Sequence, residues 1–270
     1  MRNQNRKKKG RKRLRIITIG DIVGENGLNQ VKEVLPKLKE EYKIDFIIAN
    51  GENVSGGMGI TQKLLDGILN LGVDVVTMGN HTWAKKDIFH FIDHPQLLRP
   101  ANYSKGNPGK GMGIYQCNGK KVAVINLIGR TDMNVLSENP FTIVDHLIRT
   151  VEGKADFIMV DFHAEATAEK VAMGYYLDGR VSALFGTHTH VQTADEKILP
   201  KGTAYITDIG MCGPIYSVIG MDVEASTKRF LTSLPERYKL AVGECMFNGC
   251  IFEINDQTSR IDNIIRINRT

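Results

Sequence analysis

Two histidines close one apolar run of this chain. The run over residues 181–187 leads directly into His188, Thr189 and His190. Residues two apart on an extended backbone point to the same side, so the imidazoles of His188 and His190 can be aimed at one point just past the strand end. Neutral imidazole is a common ligand of transition metals, and this spacing favours a metal site. Two ordinary loop histidines would have the same spacing, so the prediction depends on the other strand ends.

Four further apolar runs end in polar residues beside small ones. Their terminal residues are Asp21, Glu52 with Asn53, Asn80 with His81, and His163. In an open α/β sheet, ligands bind outside the carboxyl ends of the strands. We therefore expect the five strand ends to deliver their side chains to one active edge.

The candidate ligands are more numerous than one ion needs. They offer two carboxylates, one amide oxygen and three imidazoles, from Asp21, Glu52, Asn80, His163, His188 and His190. A mixed oxygen and nitrogen set without thiolate suits Mn, Fe or a catalytic Zn better than a structural zinc. Two ions about 3.5–4 Å apart would share these ligands economically and could clamp a phosphorus centre for in-line attack.

The order of these motifs resembles that of the calcineurin-like metallophosphoesterases. It resembles more closely that of the bacterial YmdB-like branch, which is associated with 2′,3′-cyclic-nucleotide 2′-phosphodiesterase activity. The motifs are Gly20-Asp21, Gly51-Glu52-Asn53, Gly79-Asn80-His81, Phe162-His163 and Gly186-Thr187-His188-Thr189-His190. Gly-Asn-His alone is modestly specific, whereas five motifs in order are strongly so, and the similarity runs from about Leu14 to the C-terminus.

Two departures from the wider superfamily point to the same branch. Most members have Asp-x-His in the first motif, where this chain has Val23, and Gly-Asp in the second, where it has Gly51-Glu52. The first change removes one ligand from the first metal. Asn53 is the nearest replacement.

The resemblance implies two ligand sets that share Glu52 as a bridge. The first set is Asp21, Glu52 and His190, with Asn53 at the ion or on the phosphate. The second set is Glu52, Asn80, His163 and His188. The ions would be two divalent transition metals, Fe or Mn, with Zn or Mg as alternatives.

His81 resembles the non-ligand histidine that contacts the phosphate and protonates the leaving oxygen. The alternative is that His81 supports the neighbouring residues and transfers no proton.

The implied reaction is hydrolysis of 2′,3′-cyclic nucleotides to 3′-phosphates through a dinuclear centre and a bridging hydroxide. Two other functions stay open, namely an RNA-associated regulator whose phosphodiesterase activity is secondary, and an enzyme acting on another phosphoester. Trp83 and the loop around Met58 are candidates for a base pocket, although a lone Trp is more often a packing residue.

The elements that must position these residues alternate between strand and helix. This pattern predicts a layered α/β domain, and the resemblance implies the metallophosphoesterase-type fold, with central mixed β-sheets flanked by helices. An amphipathic helix is expected over residues 28–42, bent or interrupted at Pro36. Asp208 ends another strand and is expected to order a loop rather than bind metal. With 270 residues and 42% hydrophobic content, one domain over residues 14–270 can hold a large core.

Several classes of protein are disfavoured by composition. No apolar run approaches the roughly 20 residues of a membrane span, and the N-terminus has no secretory apolar region. The four cysteines have no C-x-x-C spacing, which argues against a zinc knuckle or a redox pair. His163-Ala164-Glu165 matches the His-x-Glu motif of zinc deaminases, but the chain lacks the Pro-Cys-x-x-Cys motif that those enzymes also need. We expect a cytoplasmic protein that forms a homo-oligomer and makes no membrane contact.

The net charge of +5 is concentrated at the N-terminus. Residues 1–15 hold nine Lys or Arg and no acid; removing those nine from 35 basic residues leaves 26 against 30 acidic ones. Residues 1–13 are predicted to be a disordered basic arm that makes a weak, unspecific contact with RNA. A solvated tail without a ligand is the alternative.

Overall fold

The structure is a computed structural model that describes residues 13–255 and 258–270. The predicted arm lies outside the described residues except for Arg13, which is the first residue of a strand. The strands are β1 (Arg13–Ile19), β2 (Asp21–Ile22), β3 (Phe46–Asn50), β4 (Val75–Thr77), β5 (Leu97–Leu98), β6 (Met112–Cys117), β7 (Lys120–Ile128), β8 (Phe157–His163), β9 (Ala183–Thr187), β10 (Lys197–Ile198), β11 (Ala204–Ile206), β12 (Met211–Pro214), β13 (Cys245–Asn255) and β14 (Arg260–Arg269). The α-helices are α1 (Gly24–Tyr42), α2 (Gln62–Leu69), α3 (Pro140–Val151), α4 (Thr167–Leu177) and α5 (Val223–Thr232), and a short 3-10 helix spans Lys86–His90.

The strands form two mixed sheets. The first has the order β2-β12-β13-β1-β3-β4-β5, with β14 paired to β13, and the second has the order β10-β11-β9-β8-β7-β6. In the first sheet β1, β3 and β4 run parallel, while β13 is antiparallel to β1. In the second sheet β7, β8, β9 and β11 run parallel. The predicted α/β class with central mixed sheets flanked by helices is confirmed.

The two sheets pack against each other and carry helices on their outer faces. Ile16, Phe46 and Ile48 of the first sheet share one buried cluster with Val124 and Phe185 of the second. A second cluster joins α1 and α2 to the outer face of the first sheet, and a third joins α3 and α4 to the second sheet. Because the central strands are covered on both faces, they read as continuous apolar runs rather than as alternating patterns.

Of the two outcomes predicted at Pro36, a bend or an interruption of the helix, the interruption is wrong. Helix α1 is continuous from Gly24 to Tyr42, with Pro36 inside it. Its buried side includes Val31, Leu35 and Leu38, which pack on the first sheet. We attribute the continuity to this packing, which outweighs the hydrogen bond that Pro36 cannot donate.

The parallel strands bring the predicted site residues to one edge of the molecule. β1, β3 and β4 end just before Asp21, Glu52 and Asn80, and the second sheet supplies His163 and His188 from the ends of β8 and β9. Both sheets therefore contribute predicted ligands across the interface between them. Among the described residues, no helix is long and apolar enough to cross a membrane.

Candidate metal centre and its cleft

A cleft of about 340 Å³ opens at this edge. Five of the predicted site residues line it: Glu52, Asn53, His81, His188 and His190. The other three, Asp21, Asn80 and His163, are hydrogen-bonded or lie close to these five, and both Asp21 and His163 are fully buried. All eight predicted residues thus lie together, although they come from five separate segments of the chain.

The side chains predicted as the second ligand set converge on one ring atom. Nε2 of His163 lies 3.0 Å from Oε1 of Glu52, 2.9 Å from Oδ1 of Asn80 and 3.0 Å from Nδ1 of His188. A carboxylate oxygen, an amide oxygen and two imidazole nitrogens are all lone-pair donors, and a single ring proton cannot satisfy them together. Donor atoms of Glu52, His163 and His188 also lie within 4.8 Å of one another. This arrangement fits a divalent cation.

The first predicted set is marked by buried oxygens that have no partner. Oδ1 of Asp21 and Oδ1 of Asn53 are buried and accept no hydrogen bond within the described part of the chain. Oδ1 of Asp21 lies 3.9 Å from Nε2 of His190, and the amide nitrogen of Asn53 is bonded to the Gly57 carbonyl at 2.9 Å. Unpaired buried polar atoms are costly, so these two oxygens fit a cation that binds oxygen.

Charge coupling within the cluster shifts several pKa values. Burial opposes ionisation of Glu52, but the neighbouring His163 charge and hydrogen bond, with His81, lower its pKa to about 2. Burial also opposes protonation of His163, yet Glu52 and Asp21 raise its pKa to about 9. The pKa of His188 falls to about 3 because of burial and the nearby His163. Glu52 therefore carries a full negative charge at neutral pH.

Two glycines are required for close approach at the site. A Cβ on Gly79 would clash with the ring of His163 and the carboxylate of Glu52. A Cβ on Gly186 would clash with the Thr207 carbonyl. The glycines in the motifs thus let the strand ends and their ligands approach each other.

A hydrogen-bond chain orients His163 from behind. Nδ1 of His163 lies 2.9 Å from Oγ1 of Thr187, which donates to Oδ1 of Asp161 at 2.7 Å. Oδ2 of Asp161 accepts from Thr77 at 2.6 Å. Because the hydroxyl of Thr187 donates to Asp161, its oxygen can accept a proton from Nδ1 of His163, with Nε2 facing the other predicted ligands. The sequence pattern predicted no role for Asp161 or Thr187, although Asp161 is two residues before His163 and therefore on the same strand face.

The loop that bears His188 and His190 is held in an unusual backbone conformation. Both residues have positive φ, at 99° and 66°. Oδ2 of Asp208 accepts from the backbone and hydroxyl of Thr189, at 3.2 and 2.8 Å, and from Nζ of the fully buried Lys170 at 2.7 Å. Because Asp208 contacts this loop directly, the contacts agree with the loop-ordering part expected for it. The sequence offered no signal for Lys170, which looks like an ordinary helical lysine.

His81 lies between the ligand cluster and the open cleft. Its backbone N–H donates to Oε2 of Glu52 at 3.0 Å, and its Nε2 lies 3.3 Å from the amide nitrogen of Asn80. Its pKa is lowered, chiefly by burial, while Glu52 opposes this shift and His163 and His190 reinforce it. A neutral imidazole still donates one N–H, so His81 can hydrogen-bond to an oxygen of a ligand in the cleft.

The opposite wall of the cleft comes from the segment between β12 and β13. Its lining residues are Val218, Ile219, Met221, Ser226, Arg229, Phe230 and Tyr238. This wall was not predicted from the sequence, because the exposed side chains of a single helix form no recognisable motif. Trp83, considered from the sequence as a candidate for a base pocket, instead stacks on Phe89 with ring centroids 5.5 Å apart and is not among the lining residues.

Comparison with known proteins places the chain among phosphoesterases. Residues 17–267 match the sequence model of the YmdB-like protein family. The chain is 53% identical over 255 residues to the 2′,3′-cyclic-nucleotide 2′-phosphodiesterase of Bacillus subtilis, covering 94% of this chain and 96% of that one. Among solved structures, a phosphatase from Mycoplasma pneumoniae has a TM-score of 0.90 at 37% identity, covering 96% of this chain and 94% of that one. A protein from Thermus thermophilus has a TM-score of 0.89 at 39% identity, covering 95% of this chain and 99% of that one.

Proposed function

This chain belongs to the YmdB-like protein family and is a phosphoesterase, and we propose that it hydrolyses 2′,3′-cyclic nucleotides to 3′-phosphates with two divalent metal ions. The observation that carries the metal dependence is the convergence of Glu52, Asn80 and His188 on Nε2 of His163. The unpartnered oxygens of Asp21 and Asn53 support a second ion nearby. The substrate class is supported by the 53% identity to the Bacillus subtilis enzyme.

The proposed chemistry divides between ions and side chains. Two bound ions would supply an activated water and neutralise charge on the phosphoryl oxygens. Glu52 would hold both ions, since its two oxygens face different neighbours, His163 and the His81 backbone. His81 would stabilise or protonate the departing 2′-oxygen from the cleft side. The absence of thiolate from the set favours Mn or Fe, with Zn or Mg as alternatives.

Metal analysis combined with a hydrolysis assay tests this proposal. Anaerobically purified protein should contain close to two transition-metal ions per chain, and chelation should abolish hydrolysis of 2′,3′-cyclic AMP until Mn or Fe is restored. Glu52→Ala should lose more metal than Asp21→Ala, because the carboxylate of Glu52 would contact both ions. The control is Asp145→Ala, a carboxylate that pairs with Arg180 instead.

Two results would contradict the proposal. If the protein contains one metal ion per chain, and reconstitution does not raise this number, Glu52 does not bridge two ions. Full activity in the presence of chelator, with no metal detected, would exclude metal dependence. Thermal unfolding of each variant, recorded in parallel, separates loss of ligand from loss of fold.

A further inference from the structure

We propose that the cleft-facing side of helix α5, centred on Phe230 and Arg229, binds the base of the substrate. This inference rests on the proposed function and extends it from the reacting phosphorus to the remainder of the nucleotide. It assigns a specificity role to a segment that contains none of the sequence motifs.

Three residues of α5 form one face. Ser226, Arg229 and Phe230 are spaced i, i+3 and i+4, which places them side by side on a helix. All three line the cleft that also contains His81 and His188. Phosphate-binding and base-binding groups would therefore be reached from a single cavity.

The helix does not use Phe230 to hold itself in place. Phe230 is 80% exposed, and no residue of α5 is buried. Polar contacts anchor the segment instead. Asp222 caps the helix by accepting from the backbone N–H of Ala225 at 3.0 Å and pairs with Lys239 at 3.2 Å. An aromatic ring with this exposure beside a reactive centre is available for stacking.

A second aromatic residue, Tyr238, connects this wall to the loop that contains Asn53 and Gly57. The hydroxyl of Tyr238 lies 3.4 Å from the Gly57 carbonyl, the same oxygen that accepts from the Asn53 amide. The spacing between the wall and the predicted ligands is therefore set by a direct contact. Arg229 forms no ion pair within the described residues, so its guanidinium plane is free to face a ligand.

The chemistry of the wall matches a nucleobase. A base offers a flat apolar face that stacks on aromatic rings and on guanidinium planes. Val218, Ile219 and Met221 add apolar surface to the same cavity. A bare phosphate or a small polar phosphoester would leave these groups without a partner.

Comparison of two substrates tests the assignment. We would measure kcat/KM for 2′,3′-cyclic AMP and for methyl ribofuranoside 2′,3′-cyclic phosphate, which has the same reacting phosphodiester but no base. Phe230→Ala should lower kcat/KM for the nucleotide roughly 5- to 150-fold, the range expected from the loss of one stacking contact, and leave the base-less substrate unchanged. Arg229→Ala should act in the same direction, and Arg229→Lys should not restore activity, because an ammonium group cannot stack.

Leu231→Ala is the matched control. Leu231 is the next residue, is also 80% exposed and does not line the cleft. It should leave both substrates unaffected. Gel filtration of Phe230→Ala and Leu231→Ala, recorded with the kinetics, gives the oligomeric state of each variant.

The outcomes separate the two proposals. If the unmodified protein hydrolyses neither substrate, the proposed function fails. If it hydrolyses both and Phe230→Ala affects neither, or affects both equally, the base-binding assignment is overturned. An equal loss accompanied by a change in oligomeric state in Phe230→Ala would show that this face binds a second copy of the chain instead.

Discussion

At the scale of single residues, His163 is the side chain on which the site depends. It is fully buried, its Nε2 faces a carboxylate, an amide oxygen and an imidazole, and its Nδ1 faces a hydroxyl. Nδ1 also lies 3.4 Å from the amide nitrogen of Asn50, so the Thr187 hydroxyl is the acceptor on that side, while Nε2 faces the predicted ligands. A histidine in the same position without Thr187 behind it could rotate or take the other tautomer, and the ligand set would lose its geometry.

Thr187→Val is expected to weaken metal binding without removing a ligand. Valine keeps the shape of threonine but cannot accept the Nδ1 proton of His163, so the ring loses its orientation. Loss of such a partner typically costs about 10- to 100-fold in metal affinity. Chelator competition measures this, and Thr187→Ser should restore most of the affinity.

The matched control for that experiment is Thr203→Val. Thr203 is also fully buried, and its hydroxyl bonds the carbonyls of Leu177 and Val181, away from the site. It should lower stability while leaving metal affinity unchanged. If the unmodified protein, Thr187→Val and Thr203→Val all bind metal with equal affinity, Thr187 has only a packing role.

His81→Ala is expected to keep both metals and lose turnover. General-acid assistance is typically worth on the order of 10²–10⁴ in rate. The loss should be smaller for bis-p-nitrophenyl phosphate, because its good leaving group scarcely needs a proton. Steady-state kinetics on this compound and on 2′,3′-cyclic AMP, with metal analysis, provide the measurement.

Two outcomes would revise the part assigned to His81. An equal loss on both substrates would mean that His81 positions the phosphate, which its lowered pKa makes a real alternative. Loss of metal would make it a ligand.

At the scale of elements, the site exists because two sheets present their strand ends side by side. The first sheet brings Asp21, Glu52 and Asn80, and the second brings His163 and His188. The β1–β13 pairing stabilises the first sheet at the end of β1 away from the site. There Glu253 accepts from Arg13 at 2.8 Å and from Arg15 at 2.7 Å.

Glu253→Gln is expected to lower stability by about 1–2 kcal/mol at neutral pH, since bonds to charged groups are replaced by weaker ones. Burial opposes ionisation of Glu253, but Asn263 and Arg15 outweigh it and hold its pKa below the ordinary 4.5. Because the pKa of Glu253 is lower in the folded protein than in the unfolded one, its ionisation stabilises the folded state at pH values above the unfolded pKa. This stabilisation is lost as the pH falls through the folded pKa.

Denaturant unfolding at several pH values checks this prediction. The difference between the two proteins should be full above about pH 4.5 and should shrink in more acidic solution. Asp262→Asn is the control, because its contact with Arg13 is longer, at 3.7 Å, and more exposed. A difference that does not change with pH would mean that Glu253 acts through packing alone.

At the scale of the whole molecule, charge is divided between the arm and the domain. Nine basic residues lie within residues 1–15, while the remainder has more acidic than basic residues. The cleft contains Arg229 as well as Glu52 and Glu165. The predicted weak contact with RNA is assigned to the arm, because no acidic residue opposes its basic residues.

Deletion of residues 1–12 tests the predicted arm while keeping Arg13 and its bond to Glu253. Activity on small cyclic nucleotides should be unchanged, and RNA binding should weaken with a smaller salt dependence, because fewer phosphate contacts release fewer counterions. Fluorescence anisotropy with a short RNA at several salt concentrations measures this. Unchanged RNA affinity would refute the arm's part, and loss of folding would make it structural.

The fold class and the identity of the candidate ligands follow from the order of residues along the chain. Strand-ending residues such as Asp21 and His188 can be read directly, because each stands immediately after an apolar run and beside glycine. Strand periodicity and turn residues are local, so the chain order reveals them. The family resemblance added the division into two ligand sets, which stays a prediction, as does the transfer of a proton by His81.

The residues that contact the candidate ligands from behind, and those that line the opposite wall of the cleft, depend on tertiary packing. Thr187 reaches Asp161 across neighbouring strands, Lys170 reaches Asp208 from a helix, and Phe230 faces the site from a separate segment. None of these contacts has a fixed spacing along the chain, because each depends on how two sheets and a helix pack. The interruption predicted as one alternative at Pro36 is absent for the same reason: local preference disfavours a continuous helix there, whereas burial against the sheet favours it.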